Sequence, residues 1–243
     1  MKLILPCSIS IIFLLSCTGK KSTPETPSNE NIVITEAICI MNEAPLYEES
    51  GPNSQVISSV QLGEVVPMIT NEPFDQDPDP GKYYEVQLRN VTSAWISGSA
   101  IFTNAIPAAI MQEAPIYNHT ESDAKADKNF MMAEFVVITS ENDDWVKLTG
   151  ADKKKEGWVK KKFISTDPGD VHVAILAQNY LLESNGKMII DKLPDFIMQL
   201  PDKNTKLAVE LQKIMDKEVA HAIEQSISDY EEQQIDEAMF EED

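Results

Sequence analysis

The chain has 243 residues, with 20 basic and 40 acidic side chains and a formal net charge of −20. A polyanion of this kind is repelled by nucleic acid and by acidic lipid headgroups, so neither is an expected partner. Its three cysteines and three dispersed histidines, His119, His172 and His221, provide no disulfide framework and no zinc-ligand spacing. There is no phosphate loop and no nucleophile-elbow motif, so neither enzymatic chemistry nor a cofactor is expected.

Taken from the start, Lys2 precedes an apolar run from Leu3 to Leu15 interrupted by Pro6, Cys7, Ser8 and Ser10. The run is too short and too interrupted for a bilayer span of about 20 residues, and has the form of an export signal. It ends in Leu14-Leu15-Ser16-Cys17, which resembles a bacterial lipobox. That resemblance implies removal of residues 1–16, acylation of Cys17 and attachment to a bacterial membrane, the outer membrane or the cell surface in preference to the inner one. Removing the signal takes Lys2 and no acid, leaving 19 basic and 40 acidic residues and a net charge of −21. Residues 17–31 are then the lipidated cysteine and a tether. Thr18 to Asn31 is Gly, Lys, Ser, Thr, Pro, Glu and Asn without apolar periodicity, a composition that buries no core. A flexible chain of that length reaches about 20 Å.

From residue 32 to 167 short apolar runs alternate with turn residues, and one phrase occurs twice. Met41-Asn42-Glu43-Ala44-Pro45-Leu46-Tyr47 returns 70 positions later as Met111-Gln112-Glu113-Ala114-Pro115-Ile116-Tyr117. Glu64-Val65-Val66 and Glu134-Phe135-Val136 keep the same offset; Val86 recurs as Val146 and Trp95 as Trp158. Such periodicity marks one unit built twice. Strands are expected at 32–34, 37–41, 56–60, 64–70, 83–88 and 95–101, and again at 106–111, 130–139, 145–148 and 158–164. The lone thiol of the mature chain, Cys39, lies in the apolar run Ile38-Cys39-Ile40 and is expected in the core.

Beyond Asp167 the period becomes helical. A helix is expected over 171–182 with Asp170 as its N-cap, then a short one within 188–200. A long helix follows Pro201–Asn204, with Leu207, Leu211, Ile214, Met215, Val219, Ala222, Ile223, Ile227 and Tyr230 in one stripe. This helix is expected to pack within its own domain. From Glu218 to Asp243 there are ten acids and no Lys or Arg, so fraying is expected after about Glu231.

Each repeat resembles a bacterial SH3 (SH3b) domain. The first matches with Gly51-Pro52, Gly63-Glu64-Val65-Val66, Tyr84-Glu85-Val86-Gln87-Leu88, and Trp95-Ile96 followed by Ala100-Ile101. The second matches with Ala133-Glu134-Phe135-Val136, Trp145-Val146-Lys147-Leu148, and Gly157-Trp158-Val159 followed by Phe163-Ile164. Ala44-Pro45 and Ala114-Pro115 stand where many family members carry an Arg, and Ala94 replaces the Gly before Trp95. The resemblance implies a mostly β fold: two tandem small SH3-like β-barrels, 32–104 and 105–167, followed by an acidic α-helical region, 168–243. It also implies a non-catalytic binding or adaptor role in the cell envelope. Peptidoglycan stem peptides or an extended protein segment are the implied ligands.

Candidate ligand-binding rings are Tyr47, Tyr83, Tyr84 and Trp95 in the first repeat and Tyr117, Trp145 and Trp158 in the second, since SH3-type grooves hold extended peptides with aromatic side chains. Lys153, Lys154 and Lys155, with Lys160 to Lys162, form a basic cluster that suits an acidic partner or the chain's own acidic helix. Asp75, Asp77 and Asp79 present alternate carboxylates, a weak calcium pattern that lacks the glutamate completing such loops. The rival function is a scaffold whose helical end binds a protein while the repeats act as spacers.

Overall fold

The computed structural model describes residues 33–70, 78–88, 91–120, 125–183 and 185–240; the expected signal, Cys17 and tether lie outside them. Among these residues the first repeat forms β1 (Val33–Cys39), β2 (Glu43–Tyr47), β3 (Val56–Gln61), β4 (Val65–Thr70), β5 (Tyr83–Leu88), β6 (Val91–Ser97) and β7 (Ile101–Thr103). The second forms β8 (Ile106–Ile110), β9 (Ala114–Tyr117), β10 (Lys125–Phe130), β11 (Phe135–Asn142), β12 (Trp145–Gly150), β13 (Glu156–Lys160) and β14 (Ile164–Ser165). The strands make two seven-stranded antiparallel sheets with orders β3-β2-β6-β5-β4-β1-β7 and β10-β9-β13-β12-β11-β8-β14. The second order is the first shifted by seven, so the sequence repeat is a repeat of topology. Neither sheet closes among the described residues: β3 and β7 are edges of one, β10 and β14 of the other.

The chain is thus mostly β with helices at its C-terminal end, as expected, but several boundaries differ. The recurrent phrase itself supplies β2 and β9, which lie outside the expected strands and include Pro45 and Pro115. The expected strand over 130–139 is two strands with a turn between them, where Ala133 adopts φ 66°. Gly63 holds the equivalent place with φ 76°. A Cβ on Gly63 would overlap Ile175 Cδ1, whereas the Ala133 methyl is buried among apolar neighbours, which explains the different residue in each copy. A left-handed alanine costs of order 1 kcal/mol in backbone strain, which that burial offsets.

Each sheet curls around its own core. Cys39, Leu46, Val60, Met68, Val86, Ile96 and Ile101 fill the first; Ile110, Ile116, Phe130, Ile138, Val146, Leu148 and Val159 fill the second. The copies differ by a one-residue slip. Val66 opposes Ala37, but its counterpart Val136 opposes Ala108, one residue past the position the repeat offset dictates. A slip of one exchanges the faces of a strand. Ile110 therefore points into its own sheet's core, while Ile40 joins a third core outside the first sheet.

That third core unites the molecule. It combines Ile38, Ile40, Leu62 and Phe102 of the first repeat with Ala109, Phe135 and Val137 of the second, and with residues of all three helices. These helices are α1 (Pro168–Tyr180), α2 (Leu193–Gln199) and α3 (Lys206–Phe240). From α1 come Val173, Ala174 and Ala177; from α2 Leu193, Phe196 and Ile197; from α3 Leu207, Ala208 and Leu211. The first turns of α3 thus pack in a core shared with both sheets, not within a helical domain of their own. Past Met215 the stripe residues Val219, Ile223 and Ile227 are at least half exposed, and α3 runs on to Phe240 past the expected fraying point. No helix among the described residues is long and apolar enough to cross a membrane.

The N-cap of α1 is Asp167, not Asp170, because Pro168 occupies the first helical position. The Asp167 carboxylate accepts from the Gly169 and Asp170 amides at 2.9 and 3.4 Å. Asp170 is instead fully buried. It accepts from the Ser165 hydroxyl at 2.6 Å and from the Leu207 N–H at 2.8 Å. A carboxylate in the first turn of α1 therefore caps the start of α3. Asp170→Ala orphans a buried backbone donor, at roughly 1–3 kcal/mol, and removes a charge-assisted bond. Urea unfolding should show a loss of about 2–4 kcal/mol on that basis; a loss below about 0.5 kcal/mol contradicts the capping role.

Candidate functional site

Strand alternation decides which rings share a face. In the first sheet Tyr47 on β2 is the direct cross-strand partner of Trp95 on β6, which opposes Glu85 on β5. Tyr83, two residues before Glu85, lies on the same outer face, and its ring meets Tyr47 edge-on with centroids 5.4 Å apart and planes at 82°. Tyr84 points the other way. It packs on the first core beside Ile96, and its hydroxyl accepts the Asp79 N–H at 2.8 Å. Tyr84 is thus a core ring that ties down the β4–β5 connection, and Tyr83 takes its place in the outer cluster. Packing against Tyr47 raises the Tyr83 hydroxyl pKa, chiefly by partial desolvation and then through the neighbouring Tyr47 hydroxyl.

The second sheet repeats the arrangement. Tyr117 on β9 opposes Trp158 on β13, and Trp158 opposes Lys147 on β12. Trp145, two residues before Lys147, meets Tyr117 edge-on at 4.9 Å and 78°. Both edge-on pairs have the geometry that aromatic quadrupoles favour. The third ring holds the same place in each sheet: Tyr83 lies two residues before Glu85, which opposes Trp95, and Trp145 two residues before Lys147, which opposes Trp158, although the Val86–Val146 offset of the sequence sets Trp145 against Glu85. All six rings are half-buried, leaving one surface of each open to solvent.

Charge distinguishes the two faces. In the first sheet the neighbour of Trp95 is Glu85. In the second, Lys147 stands beside Trp158 and pairs with Glu156 at 2.5 Å, and Lys160 Nζ lies 5.3 Å from the Trp145 centroid. A lysine over an exposed indole gains about 0.5–1 kcal/mol. Alternation of 145 with 147 and of 158 with 160 is the sequence signal for this cationic rim.

The basic cluster resolves residue by residue. Lys153 Nζ lies 4.5 Å from the Phe102 ring centroid in the first repeat, and the neighbouring Asp152 N–H donates to Ile40 O at 2.8 Å. This turn, with Asp152 and Lys153 both at positive φ, bridges the sheets. Lys154 pairs with Asp152 at 2.8 Å. Lys155 pairs with the buried Glu134 and donates to Asn185 O at 3.2 Å. Lys161 pairs with Glu141 at 2.7 Å, and Lys162 lies over Phe163. The contacts of Lys153 to Lys155 therefore join the repeats to each other and to the turn after α1. Lys154 and Lys155, with Asn42, Gln178 and Glu183, line a cavity of about 230 Å³.

Of the three acidic calcium candidates, Asp75 and Asp77 lie outside the described residues. Asp79 accepts from the Gly81 N–H at 2.9 Å and approaches Lys82 at 3.8 Å. Among the described residues no three His, Cys, Asp or Glu side chains converge as metal ligands. Cys39 is fully buried, and burial pushes its thiol up to about 11, which keeps it protonated at neutral pH. Cys17 also lies outside the described residues.

No family model and no curated protein matches the chain. Solved structures it resembles include NlpC2 and NlpC1 from Trichomonas vaginalis, at 15% and 16% identity and a TM-score of 0.24 for each. In both the match covers 55% of this chain, and the chain spans about half the length of those proteins, 48% and 46% respectively.

Burial raises the Glu134 carboxyl pKa above the ordinary glutamate value, and the hydrogen bond and charge of Lys155 only partly oppose it. An acid with a raised folded-state pKa holds more protons folded than unfolded between the two values. Stability then falls as pH rises through that window. Relative to Glu134→Gln, the wild type should therefore lose stability as pH climbs from about 4.3 to the raised value, followed by thermal unfolding in a pH series. A relative gain with rising pH would mean that the Lys155 pair outweighs burial.

Proposed function

We propose that the chain is a lipoprotein anchored through Cys17, with two SH3-like barrels of the SH3b type formed by residues 32–104 and 105–167. In this reading it is a non-catalytic binding or adaptor protein of the bacterial cell envelope, at the outer membrane or the cell surface. The two outer aromatic faces hold an extended peptide, either a peptidoglycan stem peptide or a protein segment. The observation that carries the proposal is the aromatic triplet recurring on the same face of two sheets with the same strand order. Half-exposed rings offer stacking area at little entropic cost, which suits capture of a flexible ligand. The second face suits carboxylate-bearing ligands better, since Lys147 and Lys160 rim it where Glu85 stands in the first.

A scaffold role for the helical end is the second reading, favoured by the exposed Val219, Ile223 and Ile227 on α3. Retention of the full-length protein on purified sacculi separates the two. Tyr47→Ala with Tyr117→Ala should lower retention at least about tenfold, the cost of losing central aromatic anchors, with an unchanged circular dichroism spectrum. Tyr84→Phe, which alters a core ring, should leave retention intact. Equal retention by the double variant and the wild type sinks the aromatic-face proposal, and no retention by either favours the scaffold.

A further inference from the structure

The side of α3 that faces the second repeat carries a row of charges of which only Lys213 has an ion-pair partner among the described residues. Lys206, Lys213, Lys217 and Glu224 recur at steps of seven, four and seven, which places them on one face of a helix turning 100° per residue. All four are exposed. The sequence continues the step of seven to Glu231. Beside the three lysines lies a groove of about 580 Å³ between α3 and the second sheet. Met111, Met132 and Ile214 form its apolar floor, and Lys162 reaches it from the opposite wall. Glu210 lies among these cations, paired with Lys213 at 2.7 Å. In a chain of net charge −20 this is a locally basic, apolar-floored groove.

Its complement is the other half of the same helix. From residue 218 onward there are ten acids and no Lys or Arg, bordered by the exposed apolar residues Val219, Ile223 and Ile227. One helix cannot bring its halves together, since Lys213 and Glu231 are about 27 Å apart along a continuous α-helix. An antiparallel second helix of the same kind can. It sets each basic half against an acidic half, and ridge packing buries the apolar residues of the distal turns.

We propose that a second copy of this chain docks here, with α3 of the two copies antiparallel and the distal half of each lying along the basic groove of the other. Opposed charges fix the antiparallel orientation, because a parallel pair would set lysine against lysine and glutamate against glutamate. The inference is independent of the ligand held by the aromatic faces.

Sedimentation equilibrium of the full-length protein in detergent tests it, using two charge-reversal variants, Lys213→Glu with Lys217→Glu, and Glu224→Lys with Glu231→Lys. The wild type should be dimeric at about 0.05 M salt and dissociate towards about 1 M, where the Debye length is about 3 Å. Each variant alone should weaken dimerisation at least tenfold, and an equimolar mixture of the two should restore a one-to-one complex. Circular dichroism should show both variants as helical as the wild type. A wild type that stays monomeric at about 0.1 mM in low salt overturns the proposal. So do variants that dimerise as well as the wild type, or a mixture that forms no complex.

Discussion

The third core, where α1 meets both sheets, is the contact on which the rest of the structure depends. Each sheet has an apolar interior of its own, yet each also leaves apolar residues outside it: Ile38, Ile40, Leu62 and Phe102 on one, Phe135 and Val137 on the other. Burying a large aliphatic or aromatic side chain stabilises by about 1.5–3 kcal/mol, so neither surface is stable in water without a cover. Helix α1 covers both, and α2 and the start of α3 complete the layer. Residues 32–243 form one compact unit as a result, despite the bead-like pattern of the repeats.

Polar interactions reinforce that junction and give it direction. Asp170 connects the strand end at Ser165 to the first turn of α3 through one buried carboxylate. The turn carrying Lys153, Lys154 and Lys155 reaches the first repeat through Phe102 and Ile40, and Glu134 through Lys155. A buried ion pair contributes little net stability against an apolar alternative, but it costs much if either partner is lost, so it selects one arrangement. Two lysines of the basic run, Lys153 and Lys155, are spent on this internal register.

The outer faces of the sheets carry the half-buried rings. Because side chains alternate along a strand, the same hairpin that sends Tyr84 and Val86 inward sends Tyr83 and Glu85 outward. The second copy sends Trp145 and Lys147 outward by the same rule. Repeating the aromatic triplet while exchanging Glu85 for Lys147 gives two faces of similar layout that differ in the charge beside the indole.

Turn residues, short apolar runs and the 70-residue offset were enough by themselves to determine a duplicated, mostly β unit followed by helices, because these signals are local and periodic. The buried setting of Cys39 and the start of an apolar stripe on α3 were legible for the same reason. Periodicity did not show that Pro45 and Pro115 sit within strands, or that Tyr84 rather than Tyr83 faces the core. Those outcomes depend on which neighbour each strand pairs with. Nor could it show the one-residue slip that separates Ile40 from Ile110, since register is set across strands and not along them. Only the tertiary structure decided that Asp170 caps a helix 37 residues away, that the lysine turn faces inward, and that α3 belongs to a core built by both repeats. Each of these joins residues far apart in the chain, where burial and hydrogen-bond satisfaction override local propensity.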